Sequence, residues 1–313
     1  MDHDRFSAAG LEALHVAMAH HVDAASAPAV VLGLSRGDDV HIDAIGAAPD
    51  TLFRITSMTR PVTAAATLLL VEDGRLALDE PVDRLLPELA GRRVLRRLKG
   101  PVDDTVAAHR SITVEDLLTF RAGFGMILAP PSDYPILAAE ASLQLCSVGP
   151  PTPATPHNPD EWIRRLGTLP LMAQPGEQWR YGTGSMILGV LIARAAGQPA
   201  ADFFRERLFS PLGMDDTVFV VPPPALHRLA PCYLPVDEKL QPFDDGGQWS
   251  RRQPFDDCGA GLVSTVRDYL TFARMLLSGG TIDGRRILSP ASVAAVTNIW
   301  RGESTAEPGF LSW

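Results

Sequence analysis

The 313 residues predict a mixed fold, α/β in the α+β sense: a small β element near the N-terminus, helices, and a long helical insertion in the middle. Two strands' worth of alternating residues at 28–46 predict the β element. Helical periodicity at 5–25, 265–278 and 289–297 predicts helices, and a long helical stretch from about Asp79 to Phe209 predicts the insertion.

Phe6, Leu11, Leu14, Met18 and Val22 roughly share one face, so residues 5–25 read as a helix. "PAVVLGLSRGDDVHIDAIG" (28–46) reads as two strands joined by a tight turn at Arg36–Asp39. A helix follows from "TSMTRPVTAAATLLLVEDG". Its opening is placed near Ser57–Arg60, because Pro61 has no N–H and is comfortable only in about the first turn. Beyond Asp79 the helical pattern is broken by "APPSDYP" (129–135) and "SVGPPTPATPHNP" (147–159), which read as loops crossing a cleft or surface. Further helices are expected at 184–197, 199–209, 265–278 and 289–297, and there is no internal repeat.

This order divides the chain into a discontinuous α/β domain, 1–78 with 255–313, and a mainly helical domain, 79–254. A sheet of two strands cannot cover its own faces and edges, and nothing after residue 262 reads as three more strands. The sheet is therefore expected to be incomplete and the chain truncated. The hairpin should keep open edges and an uncovered apolar face, a route to homodimerisation or aggregation.

Composition narrows the function classes. A hydrophobic content of 46% with 21% charged residues is that of an ordinary globular protein. The net charge of −9 argues against nucleic acid. "RRVLRRLKG" (92–100), the densest basic stretch, reads as a solvated helix face or a turn. Cys146, Cys232 and Cys258 are widely spaced and odd in number, supporting neither a disulfide framework nor a zinc knuckle. There is no HExxH, and the close pair His20–His21 reads as part of a wet helix face, so neither metal nor cofactor is expected. The N-terminus has acids where a signal peptide needs basic residues, and the longest apolar run, Ala64–Val71 around Thr67, is far short of a membrane span. A cytoplasmic protein without membrane or nucleic-acid partners is expected.

Two polar knots lead straight into apolar helices: "TSMTR" (56–60) and "WRYGTGS" (179–185). Taken as bare patterns, Ser57 reads as a helix cap, Arg60 as a surface charge and Tyr181 as an aromatic packed beneath a loop. Against this, the helix after Ser57 is too apolar to lie on a surface, so its mouth should open into the protein. There a serine oxygen gains from unpaired backbone donors and from the helix dipole. Ser35 in "GLSRG" (33–37) fits Gly-x-Ser-x-Gly, but that elbow needs a strand, a sharp turn and a helix. Ser35 is followed instead by "DDVHIDAIG", a strand, and is rejected as a nucleophile.

"FRITSMTRPVTAAATLLLVEDGRLALDEPV", "ITVEDLLTFRAGFG", "PGEQWRYGTGSMILGVLIARAAGQP", "LFSPLGMDDTVF" and "GAGLVSTVRDYLTFARMLLSGG" resemble, in order, the serine β-lactamase-related superfamily. The nearest branch is that of class C β-lactamases, family VIII carboxylesterases and DD-peptidase-like hydrolases. The resemblance implies a β-lactamase/transpeptidase-like fold, an antiparallel sheet flanked by helices plus an all-helical domain, with the active site between the two. It also implies hydrolysis of a small-molecule ester or amide, a β-lactam among them, through an acyl-enzyme. In the Ser-x-x-Lys motif Ser57 matches the nucleophile, while Arg60 stands at the lysine position. A guanidinium stays protonated, so Arg60 supplies fixed charge and not a general base. Tyr181 matches the tyrosine of the second motif and is left as the base candidate, a phenolate that would need the kind of cation Arg60 provides, with Thr183 where the lactamases carry asparagine. Thr183, Gly182 and Phe120 are the substrate-binding candidates. The third motif, a Lys/His-Thr-Gly or Trp-Gly-Gly triplet on a late strand, is not found before "ESTAEPGFLSW". Since one oxyanion donor is worth about 10²–10³ in rate, the alternative expectation is a catalytically impaired relative or an unstable fragment.

Overall fold

The computed structural model describes residues 5–145, 156–237, 239–244 and 247–298. The elements run α1 (Ala8–Asp23), β1 (Val30–Arg36), β2 (Asp39–Ile45), β3 (Phe53–Arg54), α2 (Thr59–Glu72), β4 (Arg93–Leu95), β5 (Thr105–Ala107) and α3 (Val114–Leu118). After them come α4 (Pro135–Ser142), α5 (Pro159–Leu166), α6 (Thr183–Ala196) and α7 (Ala200–Phe204), the last continuing through a π-helical turn at Arg205–Phe209 into α8 (Ser210–Leu212). The chain then forms β6 (Cys232–Val236), β7 (Lys239–Asp244), β8 (Val263–Ser264), α9 (Val266–Leu277), β9 (Thr281–Ile282), β10 (Arg285–Arg286) and α10 (Pro290–Asn298).

The N-terminal hairpin pairs Val30 with Ile45 through Arg36 with Asp39, in the turn position read from the sequence. Side chains alternate across a strand, so Asp43 and its partner Leu32 point to one face, Gly33 and Ile42 to the other. His15 of α1 reaches Asp43 on the first face at 2.8 Å. On the second, a Cβ at Gly33 would lie 2.7 Å from Val266 Cγ1 and 3.3 Å from Leu270 Cδ2, so α9 rests on the strand where a side chain is missing. Helices thus cover both faces, and the expected uncovered face is corrected. The α1 and α9 helices lie too far apart in sequence for their joint cover to be legible there. Among the described residues β1 and β2 form a two-stranded sheet, with no third strand on either edge.

The core is centred on α2 and α6. Val62, Ala65, Ala66, Leu68, Leu69 and Leu70 of α2 are buried, as are Ile187, Leu188, Val190, Leu191 and Ile192 of α6. A helix apolar on nearly every side has no face left for solvent, and α2 indeed lies inside the molecule. A short antiparallel pair, β3 with β8, carries the chain into α2 on one side and into α9 on the other. Arg54 of β3 pairs with Asp244 of β7 at 2.5 Å and lies 4.6 Å from the ring centre of Trp249, tying the β6–β7 hairpin to the same region.

Two readings in the middle of the chain are corrected. Residues 79–107 are not helical but form 3₁₀ turns at Val82–Arg84 and Pro87–Leu89 and the antiparallel pair β4–β5. Within "RRVLRRLKG", Val94 and Leu95 are buried in β4, while Arg92 donates to the carbonyls of Gly167 and Leu169. Arg96 and Arg97 then pair with Asp104 across the turn. The basic spacing concealed a strand because alternation over three residues is too short to register. The Pro-rich stretch 147–159 falls mostly outside the described residues, as do Cys146 and "ESTAEPGFLSW".

Candidate active site

The chain enters α2 through a strained corner. Thr56 is left-handed at φ 46°, uncommon for a β-branched residue, and Ser57 follows it in a 3₁₀ turn, Thr56–Met58. Two other segments hold this corner. Ile55 N–H donates to Leu262 O at 3.0 Å, Leu262 N–H donates to Thr59 Oγ1 at 3.2 Å, and the Tyr269 hydroxyl donates to Met58 O at 3.0 Å. Burial pushes the Tyr269 phenol up to about 12, so it serves as a neutral donor. Ser57 is half-buried, and its hydroxyl caps no helix: α2 has no side-chain cap at its N-terminus. The cap reading is thereby corrected.

Arg60, one turn further in, is buried and not a surface charge. Its Nη1 donates to Gly182 O at 2.8 Å, and its guanidinium carbon stands 4.2 Å from the centre of the Tyr181 ring and 5.8 Å from that of Phe120. A guanidinium stacks on aromatic faces, so this is an arrangement a lysine ammonium would not reproduce. Nε has no acceptor among the described residues.

The second polar knot is shaped by two further left-handed residues, Phe120 at φ 57° and Gly182 at φ 107°. For a bulky side chain such as Phe120 that conformation costs on the order of 1–3 kcal/mol, and it persists only where surroundings over-determine it. Here Phe120 O accepts from Arg180 N–H at 2.7 Å, and Tyr181 O accepts from Met126 N–H at 2.8 Å. Phe120, Trp179 and Tyr181 then close a triangle of rings with centroids 5.6–6.1 Å apart. Gly182 precedes the first residue of α6, half-buried Thr183.

The two knots, 122 residues apart in sequence between Arg60 and Gly182, therefore meet, with the N-termini of α2 and α6 at their junction. Arg60, Tyr181, Gly182 and Phe120 are brought together, and Ser57 lies one turn from Arg60 at the mouth of α2. No hydrogen bond joins Ser57 to Tyr181 among the described residues. Ser35 sits within β1, away from any strand-to-helix elbow.

Sequence reading missed the segment Asp257–Leu262. Asp257 Oδ1 accepts from Gly259 N–H at 2.8 Å, Cys258 O accepts from Thr63 Oγ1 at 2.7 Å, and the segment thus runs along the first turns of α2. Burial pushes the Asp257 carboxyl up, while the nearby Arg60 charge opposes that rise. Burial also pushes the Cys258 thiol well up, which leaves it unreactive. The available signal was "DDCGAG", paired carboxylates before a glycine-rich stretch. Among the described residues no group of three His, Cys, Asp or Glu side chains could hold a metal ion. No helix there is long and apolar enough to cross a membrane.

The family model described as Beta-lactamase matches residues 16–313. The chain belongs to the β-lactamase family. Over 247 residues this β-lactamase-family chain is 41% identical to protein Rv1367c of Mycobacterium tuberculosis, an alignment covering 78% of this chain and 58% of that protein. It is 32% identical over 258 residues to the lovastatin esterase of Penicillium rubens, covering 78% of this chain and 58% of the esterase. The chain thus spans 58% of the length of both curated relatives. Among solved structures, EstCE1, a hydrolase with promiscuous acyltransferase activity, superposes with a TM-score of 0.76 at 22% identity, covering 91% of this chain and 75% of that one. The fold is accordingly β-lactamase/transpeptidase-like, mixed in helices and strands.

Proposed function

We propose that this chain carries the nucleophile of a serine hydrolase acting on small carboxylic esters or amides, with Ser57 forming the acyl-enzyme. The observation that carries the reading is the meeting of the two helix mouths, which sets Ser57 one turn from a buried guanidinium stacked on Tyr181. In this reading Tyr181 acts as a phenolate: Ser57 Oγ attacks the substrate carbonyl carbon as its proton passes to the phenolate oxygen. The same proton then goes to the departing alcohol or amine, and water hydrolyses the ester left on Ser57. Arg60 cannot exchange a proton in this sequence. Its fixed charge instead favours negative charge on the ring it covers, and the N-terminus of α2 favours negative charge beside Ser57. The esterase among the relatives supports an ester as the preferred substrate.

The test is covalent labelling. The protein is incubated with a fluorophosphonate and the adduct mapped by mass spectrometry, with the expected adduct on Ser57 and none in Ser57→Ala. Labelling on Ser35, or labelling that survives Ser57→Ala, would overturn the assignment.

A further inference from the structure

A buried guanidinium is costly unless a counter-charge stands near it. Among the described residues Arg60 donates to Gly182 O, its Nε has no acceptor, and no carboxylate forms a direct ion pair with it. The carboxylate that does approach belongs to Asp257. A Cβ placed on Gly259 would lie 3.1 Å from Asp257 Oδ1 and 3.6 Å from Arg60 Nη1, so both groups border one small gap that the glycine leaves open. Oδ1 and Nη1 are consequently within about 7 Å of each other, a distance over which opposite charges in a partly buried site interact strongly. Oδ1 is held in place by the Gly259 N–H, and Thr63 fixes the next residue to α2 through Cys258 O.

We propose that Asp257 is a positioning residue: its carboxylate is the counter-charge that holds the Arg60 guanidinium against Tyr181 and sets the electrostatic balance of the site. The inference rests on reading Arg60 and Tyr181 as parts of one site, but not on Ser57 being the nucleophile. With Asp257 ionised the pair is neutral overall, and Tyr181 feels a partly compensated cation. With the carboxylate removed, the guanidinium stands buried and uncompensated over the ring.

Other titratable or charged groups near this region are Asp256 with Arg252 beside it, Cys258, Tyr269 and Arg180. Asp256 accepts from Ala201 N–H, Cys258 packs on Gly189, and Tyr269 of α9 is spent on Met58 O. Arg180, beside Tyr181, donates to Gln178.

The test is a thermal-melt cycle of Asp257→Asn, Arg60→Met and the double variant. Asp257→Asn should lower the melting temperature of the parent more than that of the Arg60→Met protein, and Asp257→Glu should recover most of the loss. Additive losses would overturn the proposal, as would an Asp257→Glu protein no more stable than Asp257→Asn. If Asp257→Asn does not fold in the parent, it should still fold in the Arg60→Met background, and failure there would overturn the coupling. The cycle needs no turnover, so failure of the Ser57 assignment would leave this result standing, and the reverse.

Discussion

Glu140 of α4 is 6% exposed, and burial pushes its carboxyl up to about 7. The folded protein thus binds a proton here that the unfolded chain releases near 4.5. Stability contributed by this group is full below that value and is lost as pH rises through about 7. The Glu140→Gln protein should therefore melt at nearly the parent temperature near pH 4.5 and higher than the parent at pH 8, by an amount corresponding to about 3 kcal/mol. Equal melting differences at both pH values would show that Glu140 is not the group that titrates. Arg60 shows the opposite strategy at the same scale. Its charge cannot be shed, so the fold surrounds it with a carbonyl, an aromatic face and a neighbouring carboxylate.

At the scale of elements, Gly33 decides how close α9 comes to β1. No backbone turn requires glycine there. The missing Cβ is where Val266 and Leu270 pack. Gly33→Ala forces the Val266 methyl or the helix itself to move, and overpacking of this kind typically costs about 1–3 kcal/mol. A loss in that range by chemical denaturation is expected. A stabilised variant would mean that α9 shifts freely, and Tyr269, carried by the same helix, would not hold Met58 O firmly. The α2 N-terminus thus depends on α9, a helix two hundred residues away, as much as on its own sequence.

For the whole molecule, the described sheet keeps both outer edges of the β1–β2 hairpin without a strand partner, although helices cover its faces. Unpaired strand edges are templates for pairing with another copy. The 313-residue chain should therefore associate as its concentration rises, measured by light scattering after size exclusion. A monodisperse monomer across the micromolar range would show that the edges are protected.

Much of this was legible in sequence because it is local. The hairpin turn, the helices at 8–23, 183–196, 266–277 and 290–298, and the opening of α2 beside Pro61 all follow from periodicity and backbone chemistry acting over a few residues. Family membership was legible too, since the motifs that carry it are short and ordered. The β4–β5 pair was not, because three-residue strands carry no measurable alternation. The company Arg60 keeps was legible only in part, in its pairing with Tyr181. That its guanidinium is buried, stacked on Tyr181 and balanced by Asp257 depends on contacts across 121 to 197 positions of chain, which burial and charge neutralisation select only once α2, α6 and the 257–262 segment have packed together.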